Sequence, residues 1–367
     1  MAQTGRVNRT LNSGKLTIWS KSVGAGVFGV RVKNSPLNQR NVTPDNMSSK
    51  LIKHMPKSAL SFVRGTAARY LPEGGPKDWL RQKYTVSERT AKVEQLDIVD
   101  SGFGTIEGET YPYIELANGH VFYGYTSDEY ENDYAQLDQA IKDVLIPEAY
   151  FVAYDYYRSY VDTSIFDQIK YYDPKPGDTV VQVGPYHGHF TTKLSHMVGE
   201  EGTVVAIEAH PENHRLLEAN VRENCLDNVR TLNRAVSNTD GDLEFYVTTG
   251  ASGKTYSLKR ENFDEFDEIT EDMISTITVE GLTLDGIVDD MEIESVDYLI
   301  LTVNMEEANI LRGAFRTLQK DLDLALVACS ELSAIEEILA EHGFEYTIDE
   351  AFAPVVYASK RGLVDPD

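Results

Sequence analysis

Two cysteines in 367 residues, Cys225 and Cys329, are too few for a disulfide framework or for a zinc site built from cysteine alone. No run of about 18 apolar residues is present, so no stretch is fit to span a bilayer as a helix. The opening MAQTGRVNRTLNSGKLTIWSKS lacks the charged-then-apolar layout of a secretion signal. Also missing are an internal repeat, a low-complexity tract, His/Asp/Glu ligands at metal spacing, and a nucleophile–histidine–acid motif. The dinucleotide fingerprint G-x-G-x-x-G is absent too, which counts against a nicotinamide-dependent oxidoreductase. These absences make the cytoplasm the expected compartment.

Basic residues are scarce beside acids. Against 59 Asp and Glu the chain sets 34 Lys and Arg, for a net charge of −25. Such an excess suits a protein kept hydrated in concentrated salt, where screening over a few ångströms suppresses self-repulsion; an ordinary acidic enzyme is the other explanation. The charges are also segregated: residues 1–95 carry a net +12 and residues 96–367 a net −37. One chain with two electrostatic characters marks a boundary.

With 41% hydrophobic and 10% aromatic residues the chain can bury two or three ordinary domains. The basic arm, 1–95, begins with a polar stretch around Gly24, Gly26 and Gly29 that reads as a short β ribbon or a loose arm. From Met47 to Leu71, Leu60, Val63, Ala67 and Leu71 recur at helical steps among lysines and arginines, with Pro56 splitting the segment. A basic amphipathic segment of this kind can lie on an anionic membrane surface, making the protein peripheral to the membrane, or dock on the acidic body. Nucleic acid is a poor partner, because the rest of the chain repels phosphate.

Residues 96–172 form a Tyr-rich region holding 13 of the 21 tyrosines. TYPYIELANGHVFYGY predicts a hairpin turning at Asn118-Gly119, and EYENDYAQLDQAIKDVLI predicts a helix. The rings either stack on a flat-faced substrate at a pocket mouth or pack an accessory layer. From Asp173 onward, short apolar runs (DTVVQVG, VVAIEA, VDYLILTV, DLALVACS) alternate with helical stretches. That alternation predicts a doubly wound, mostly parallel α/β sheet over 173–367, closing with a helix and an antiparallel strand pair. Cys225 and Cys329, in apolar-patterned segments, are expected in the core.

Two features carry chemistry. VQVGPYHGHF follows a strand and precedes a helix; Gly184 and Gly188 would let backbone approach a ligand at a helix N-terminus. Glu208 closes the next strand, where an acid can accept the hydroxyls of a ribose. Together they point to a nucleoside-containing cofactor at the carboxyl ends of parallel strands.

From about Asp173 to Gly362 the sequence resembles the FkbM-type methyltransferases. The resemblance rests on the glycine loop, on VVAIEAHPENHRLLEANVRENCLDNVRTLNRAVSNTDGDLEFYV, on LTLDGIV and on VDYLILTVNMEEANILRGAF. It implies a Rossmann-like class I methyltransferase sheet and S-adenosylmethionine as cofactor, with a small-molecule or glycan hydroxyl as methyl acceptor. Gly184 and Gly188 would then line the methionine end, Glu208 would hold the ribose, and Asn233 to Val236, Ala235 included, would border the adenine.

The chain also departs from the family. In place of the loop pattern Asp-Val-Gly-Ala-Asn-x-Gly it has Gln182, Pro185 and Tyr186. The amide of Gln182 can hydrogen-bond but offers no charge to the cofactor's ammonium group. In place of Ile-Asp-Val-Glu-Gly-Ala-Glu it has Leu301-Thr302-Val303-Asn304-Met305-Glu306-Glu307, where of the pattern's acids only Glu307 keeps its type. Candidate bases for a hydroxyl acceptor are His187 and His189 in the loop, with Glu306 and Glu307 behind them. A catalytically silent member that keeps the scaffold for ligand binding or assembly is the alternative.

Overall fold

The computed structural model describes residues 16–20, 28–32, 86–127, 130–163, 167–248, 256–260, 270–327, 331–349 and 354–363. The chain divides into two compact units, 1–85 and 86–367. In the first, β1 (Leu16–Ser20) pairs antiparallel with β2 (Phe28–Val32), Leu16 opposite Val32, which is the ribbon expected there. The helical pattern of Met47–Leu71 and Cys329 lie outside the described residues.

The second unit starts with helix α1 (86–93) and a three-stranded antiparallel meander of β3 (Ile98–Ile106), β4 (Glu109–Leu116) and β5 (Val121–Tyr123). The β4–β5 turn falls at Asn118-Gly119 as the sequence predicts, with Gly119 at φ +87° and the His120 N–H donated to Asn118 Oδ1 at 3.1 Å. The segment predicted as one helix is instead two short ones, α2 (Glu131–Ala135) and α3 (Gln139–Lys142). Asp138 breaks it: its backbone is extended, and its N–H turns outward to Glu94 Oε1 at 3.0 Å. After them comes α4 (Tyr150–Tyr156).

Most of the tyrosines pack this layer. Tyr150, Tyr156 and Tyr157 are buried with Phe122, Ile114 and Val152. Tyr130 stacks on Phe151 at 5.3 Å, and the Arg89 guanidinium lies 4.8 Å from its ring while holding buried Asp133 at 2.6 Å. Of the two uses weighed for the rings, the structure realises the packing one.

The main sheet has seven strands: β6 (Thr179–Val183), β7 (Thr203–Ile207), β8 (Val229–Leu232), β13 (Tyr298–Leu301), β14 (Asp323–Leu326), β15 (Glu345–Asp349) and β16 (Val355–Ser359). Their order across the sheet is β15-β16-β14-β13-β6-β7-β8, all parallel except β16, which runs antiparallel to both neighbours. Numbered along the chain and read from the β8 edge, that order is 3-2-1-4-5-7-6. Helices α5 (His189–Val198), α6 (Pro211–Glu223), α7 (Leu284–Asp290), α8 (Glu307–Arg312) and α9 (Leu332–Glu341) connect or flank the strands.

Burial on both faces explains why these strands read as unbroken apolar runs. Val181, Val183, Leu299 and Leu301 face one hydrophobic layer; Val180, Tyr298 and Ile300 face the other. A second sheet, ordered β11-β10-β12-β9, is formed by β9 (Ala235–Ser237), β10 (Gly241–Thr248), β11 (Tyr256–Ser257) and β12 (Ile274–Thr283). The Asn228 named by the motif fastens the end of α5: its Nδ2 donates to Ser195 O at 2.9 Å and Gly199 O at 2.8 Å. Cys225 corrects an expectation, because it is exposed rather than buried: at φ +52° it turns the chain out of α6, where a side chain faces water.

Candidate functional site

The chain winds from β6 toward β8 on one side and from β13 toward β15 on the other, so β6 and β13 flank the switch point of the sheet. Crevices for ligands open at the carboxyl ends of such strands. Here the end of β6 is drawn onto the end of β13. Gly184 has φ +80°, and a Cβ on it would stand 2.2 Å from the Thr302 carbonyl oxygen. Gly188 has φ +83°, and its Cβ would stand 2.5 Å from Leu217 Cδ1 of α6. Both glycines are therefore demanded by the course of the loop as well as by any ligand it cradles.

Glu208 lies at the end of β7 and is buried. Oε1 accepts from His210 N at 3.0 Å and Asn213 Nδ2 at 3.4 Å, and Oε2 accepts from Tyr186 N in the glycine loop at 3.1 Å. Burial pushes the carboxyl up to about 7 against those hydrogen bonds. Asn233, past β8, donates to the carbonyls of Glu208 at 2.7 Å and Ala209 at 3.1 Å, and Ala235 is buried in β9 beside Phe245 and Val279. Glu208 and Asn233 are thus brought together, with Ala235 two residues beyond Asn233. The lone pairs of Glu208 are largely committed to donors of its own chain, so a ribose would have to share them.

At the switch point charge is missing. Gln182 is buried and accepts from Thr191 Oγ1 at 2.7 Å; Thr302 donates to Gln168 Oε1 at 3.4 Å. Behind them, Glu306 accepts from Ser237 Oγ at 3.2 Å and Asn309 Nδ2 at 3.1 Å. Glu307 is 1% exposed, and its Oε1 has no hydrogen-bond partner. Burial lifts its pKa to about 7, with Lys259 pulling the other way.

His187 and His189 are buried against the Tyr-rich layer. The His187 ring lies 3.6 Å from Tyr186 and 4.7 Å from Tyr125; His189 lies 4.7 Å from Phe122, and its Nδ1 is 3.1 Å from Asp155 Oδ2. Burial would raise the Asp155 carboxyl, but Arg158, with Nε at 2.7 Å from Oδ1, and His189 outweigh it and hold the group well below the ordinary range. Sequence reasoning missed Asp155, and it missed Asn220 and Asn224. The two asparagines stand four apart on α6, a spacing visible in EANVREN. What that spacing could not disclose is the strand edge they face.

An open groove of about 500 Å³ runs past Tyr111, His210, Glu212 and Arg215, on the α6 side of Glu208 rather than at Glu307. Among the described residues no group of three or more His, Cys, Asp or Glu side chains could hold a metal ion, and no helix is long and apolar enough to cross a membrane.

A 3-2-1-4-5-7-6 sheet with its seventh strand antiparallel, a glycine loop after the first strand and an acid after the second define a Rossmann-like class I methyltransferase fold. Residues 182–346 match the family model of the methyltransferase FkbM domain. Among solved structures, an S-adenosylmethionine-dependent methyltransferase from Aquifex aeolicus is similar at 20% identity and TM-score 0.30, over 50% of this chain and 82% of that one. Fibrillarin from Aeropyrum pernix, with natively bound S-adenosyl-L-methionine, is similar at 16% identity and TM-score 0.34, over 72% of this chain and 100% of that one. The TYW2 protein of M. jannaschii, in complex with AdoMet, is similar at 14% identity and TM-score 0.32, over 70% and 84%. No curated protein matches the chain. The fold assignment rests on strand order rather than on these three likenesses.

Proposed function

We propose that the domain moves a methyl group from S-adenosylmethionine to an oxygen, and that the acceptor is a hydroxyl of a saccharide or glycolipid. The observation that carries the reading is Glu307: a buried carboxyl with an unpartnered oxygen beside the switch point of the sheet. The residues present fit the cofactor in kind, with Glu208 and Asn233 at the nucleoside end and the Gly184–Gly188 loop toward the methionine end. When bound, the cofactor supplies an electrophilic methyl on a sulfonium, so no further activation of the donor is asked of the protein. The protein must hold the acceptor oxygen in line and receive its proton. Glu307, with its unpartnered Oε1, would be the residue that takes the proton of the acceptor hydroxyl. A pKa near 7 suits a base working at neutral pH. The saccharide nature of the acceptor is supported by the family resemblance.

The uncharged Gln182 and Thr302, both tied to protein partners, favour a second reading, in which the scaffold binds cofactor without transfer. Calorimetric titration with S-adenosylmethionine and S-adenosylhomocysteine, in low and multimolar salt, separates the two when joined to a methyl-transfer assay on glycan hydroxyls. Glu307→Gln is expected to keep cofactor affinity and lower transfer by about 10²–10⁴-fold. Binding without transfer in the wild type supports the second reading, and no binding at either salt overturns both.

A further inference from the structure

We infer that Asn220 is a positioning residue for the glycine loop, and that through it the tyrosine-rich meander sets the shape of the cofactor site. The inference deepens the function proposed above and rests on it for the word cofactor only.

Asn220 is fully buried on α6, and a single side-chain amide there ties that helix to β5 and to the glycine loop. Its Oδ1 accepts from Tyr123 N at 2.7 Å, while its Nδ2 donates to Tyr123 O at 3.0 Å and to His187 O at 2.8 Å. Every hydrogen-bonding direction of the amide but one is used. One turn later, Asn224 repeats the first half of the pattern: Oδ1 accepts from Val121 N at 3.0 Å, and Nδ2 donates to Val121 O at 2.7 Å. Tyr123 and Val121 are alternate residues of β5, so two amides at i and i+4 on a helix stand in for a neighbouring strand along its free edge.

The pair differ in one respect. The second donor hydrogen of Asn224 goes to Asn220 O at 2.7 Å, within α6, whereas that of Asn220 goes to the loop carbonyl between Tyr186 and Gly188. The α/β domain holds the loop as well, with Gly184 N donating to Ile207 O at 2.9 Å. Gly188 N reaches back to Pro185 O at 3.0 Å, and Tyr186 N goes to Glu208. The meander closes on the same carbonyl's residue from the other side, since a Cβ on Gly124 would come within 3.3 Å of His187 Nδ1. Loss of the Asn220 amide would free a buried carbonyl in the loop and the β5 edge together; loss of the Asn224 amide would free the edge alone.

Hydrogen exchange of loop residues 184–190 in the full chain, with titration of S-adenosylhomocysteine, tests this on Asn220→Ala and Asn224→Ala. Asn220→Ala is expected to speed loop exchange and weaken the ligand about 10-fold or more, with Asn224→Ala within about 3-fold of wild type on both readouts at a similar loss of thermal stability. If both variants change the loop equally, or neither does, Asn220 merely holds structure and the inference is overturned. Should Asn220→Ala fail to fold, Asn220→Gln, which keeps the amide but displaces it, must show the same selective loop exchange. If wild type binds no ligand yet the exchange contrast appears, the functional proposal fails and the positioning role stands.

Discussion

At the end of β7, Glu208 is gripped by two backbone N–H groups and an asparagine amide, and Asn233 ties the neighbouring strand to the same loop. At the start of α8, just past β13, Glu307 carries an oxygen that nothing binds, and three places where the family carries acids are Gln182, Thr302 and Asn304, the first two engaged elsewhere. The β7 end follows the family's residue pattern closely, while the β6 and β13 ends depart from it. A grip built from backbone donors does not depend on the acceptor, so it can stay as it is while the reacting end is altered for another substrate.

The backbone sharpens the point. In the family patterns, asparagine and glycine occupy two places where this chain has Tyr186 and Met305. Both residues have left-handed backbone, at φ +56° and +67°, a conformation asparagine and glycine adopt at low cost. The loops keep the family's path while the side chains on them have changed.

The heaviest blow to the comparison is Gly184→Ala, which joins the two ends by force: left-handed strain and overlap with the Thr302 carbonyl should cost about 4 kcal/mol in chemical denaturation. Next comes pH. Both Glu208 and Glu307 have folded pKa values raised from 4.5 to about 7, so the native state binds more protons than the unfolded chain between those values. Stability is full below about 4.5 and falls as pH rises through 7, by roughly 3 kcal/mol for each group. Glu307→Gln should therefore flatten part of that slope and raise the melting temperature at pH 8; an unchanged slope would remove Glu307 from its buried, unpartnered state. Glu208→Ala should weaken S-adenosylhomocysteine by about 1–3 kcal/mol, and equal affinity in calorimetry would show that the ribose goes elsewhere. The smallest effect is Met305→Gly, expected to add about 1 kcal/mol of thermal stability by relieving φ, with cofactor affinity unaltered.

Much of the sheet was legible because its strands are buried on both faces and its turns carry glycine. VVAIEA and VDYLILTV announce themselves, and Asn118-Gly119 fixes a hairpin. The helix expected over 129–146 was not two helices on paper, because the break at Asp138 comes from the Glu94 carboxylate, just past α1, that only tertiary structure supplies. Likewise Glu208 could be placed by its spacing from the glycine loop, a local quantity, and Asn233 by the family resemblance. The surroundings of His187 and His189 could not, since Asp155 and Phe122 reach them from a separate layer. How each candidate base is partnered is decided by packing between distant segments, and no local pattern encodes it.

The central pair of strands has a consequence for how the molecule is made. Where β6 meets β13, Thr179 N donates to Asp297 Oδ2 across 118 positions of chain, and every residue of β7 through β12 is synthesised between the two. A nascent chain that has reached β12 therefore carries the gripping end of its cleft on a half-sheet whose inner edge is still bare. Contacts at such separations form late and slowly. The cleft is completed only when the polypeptide is four-fifths translated, and until then the edge of β6 is the surface a chaperone would have to cover.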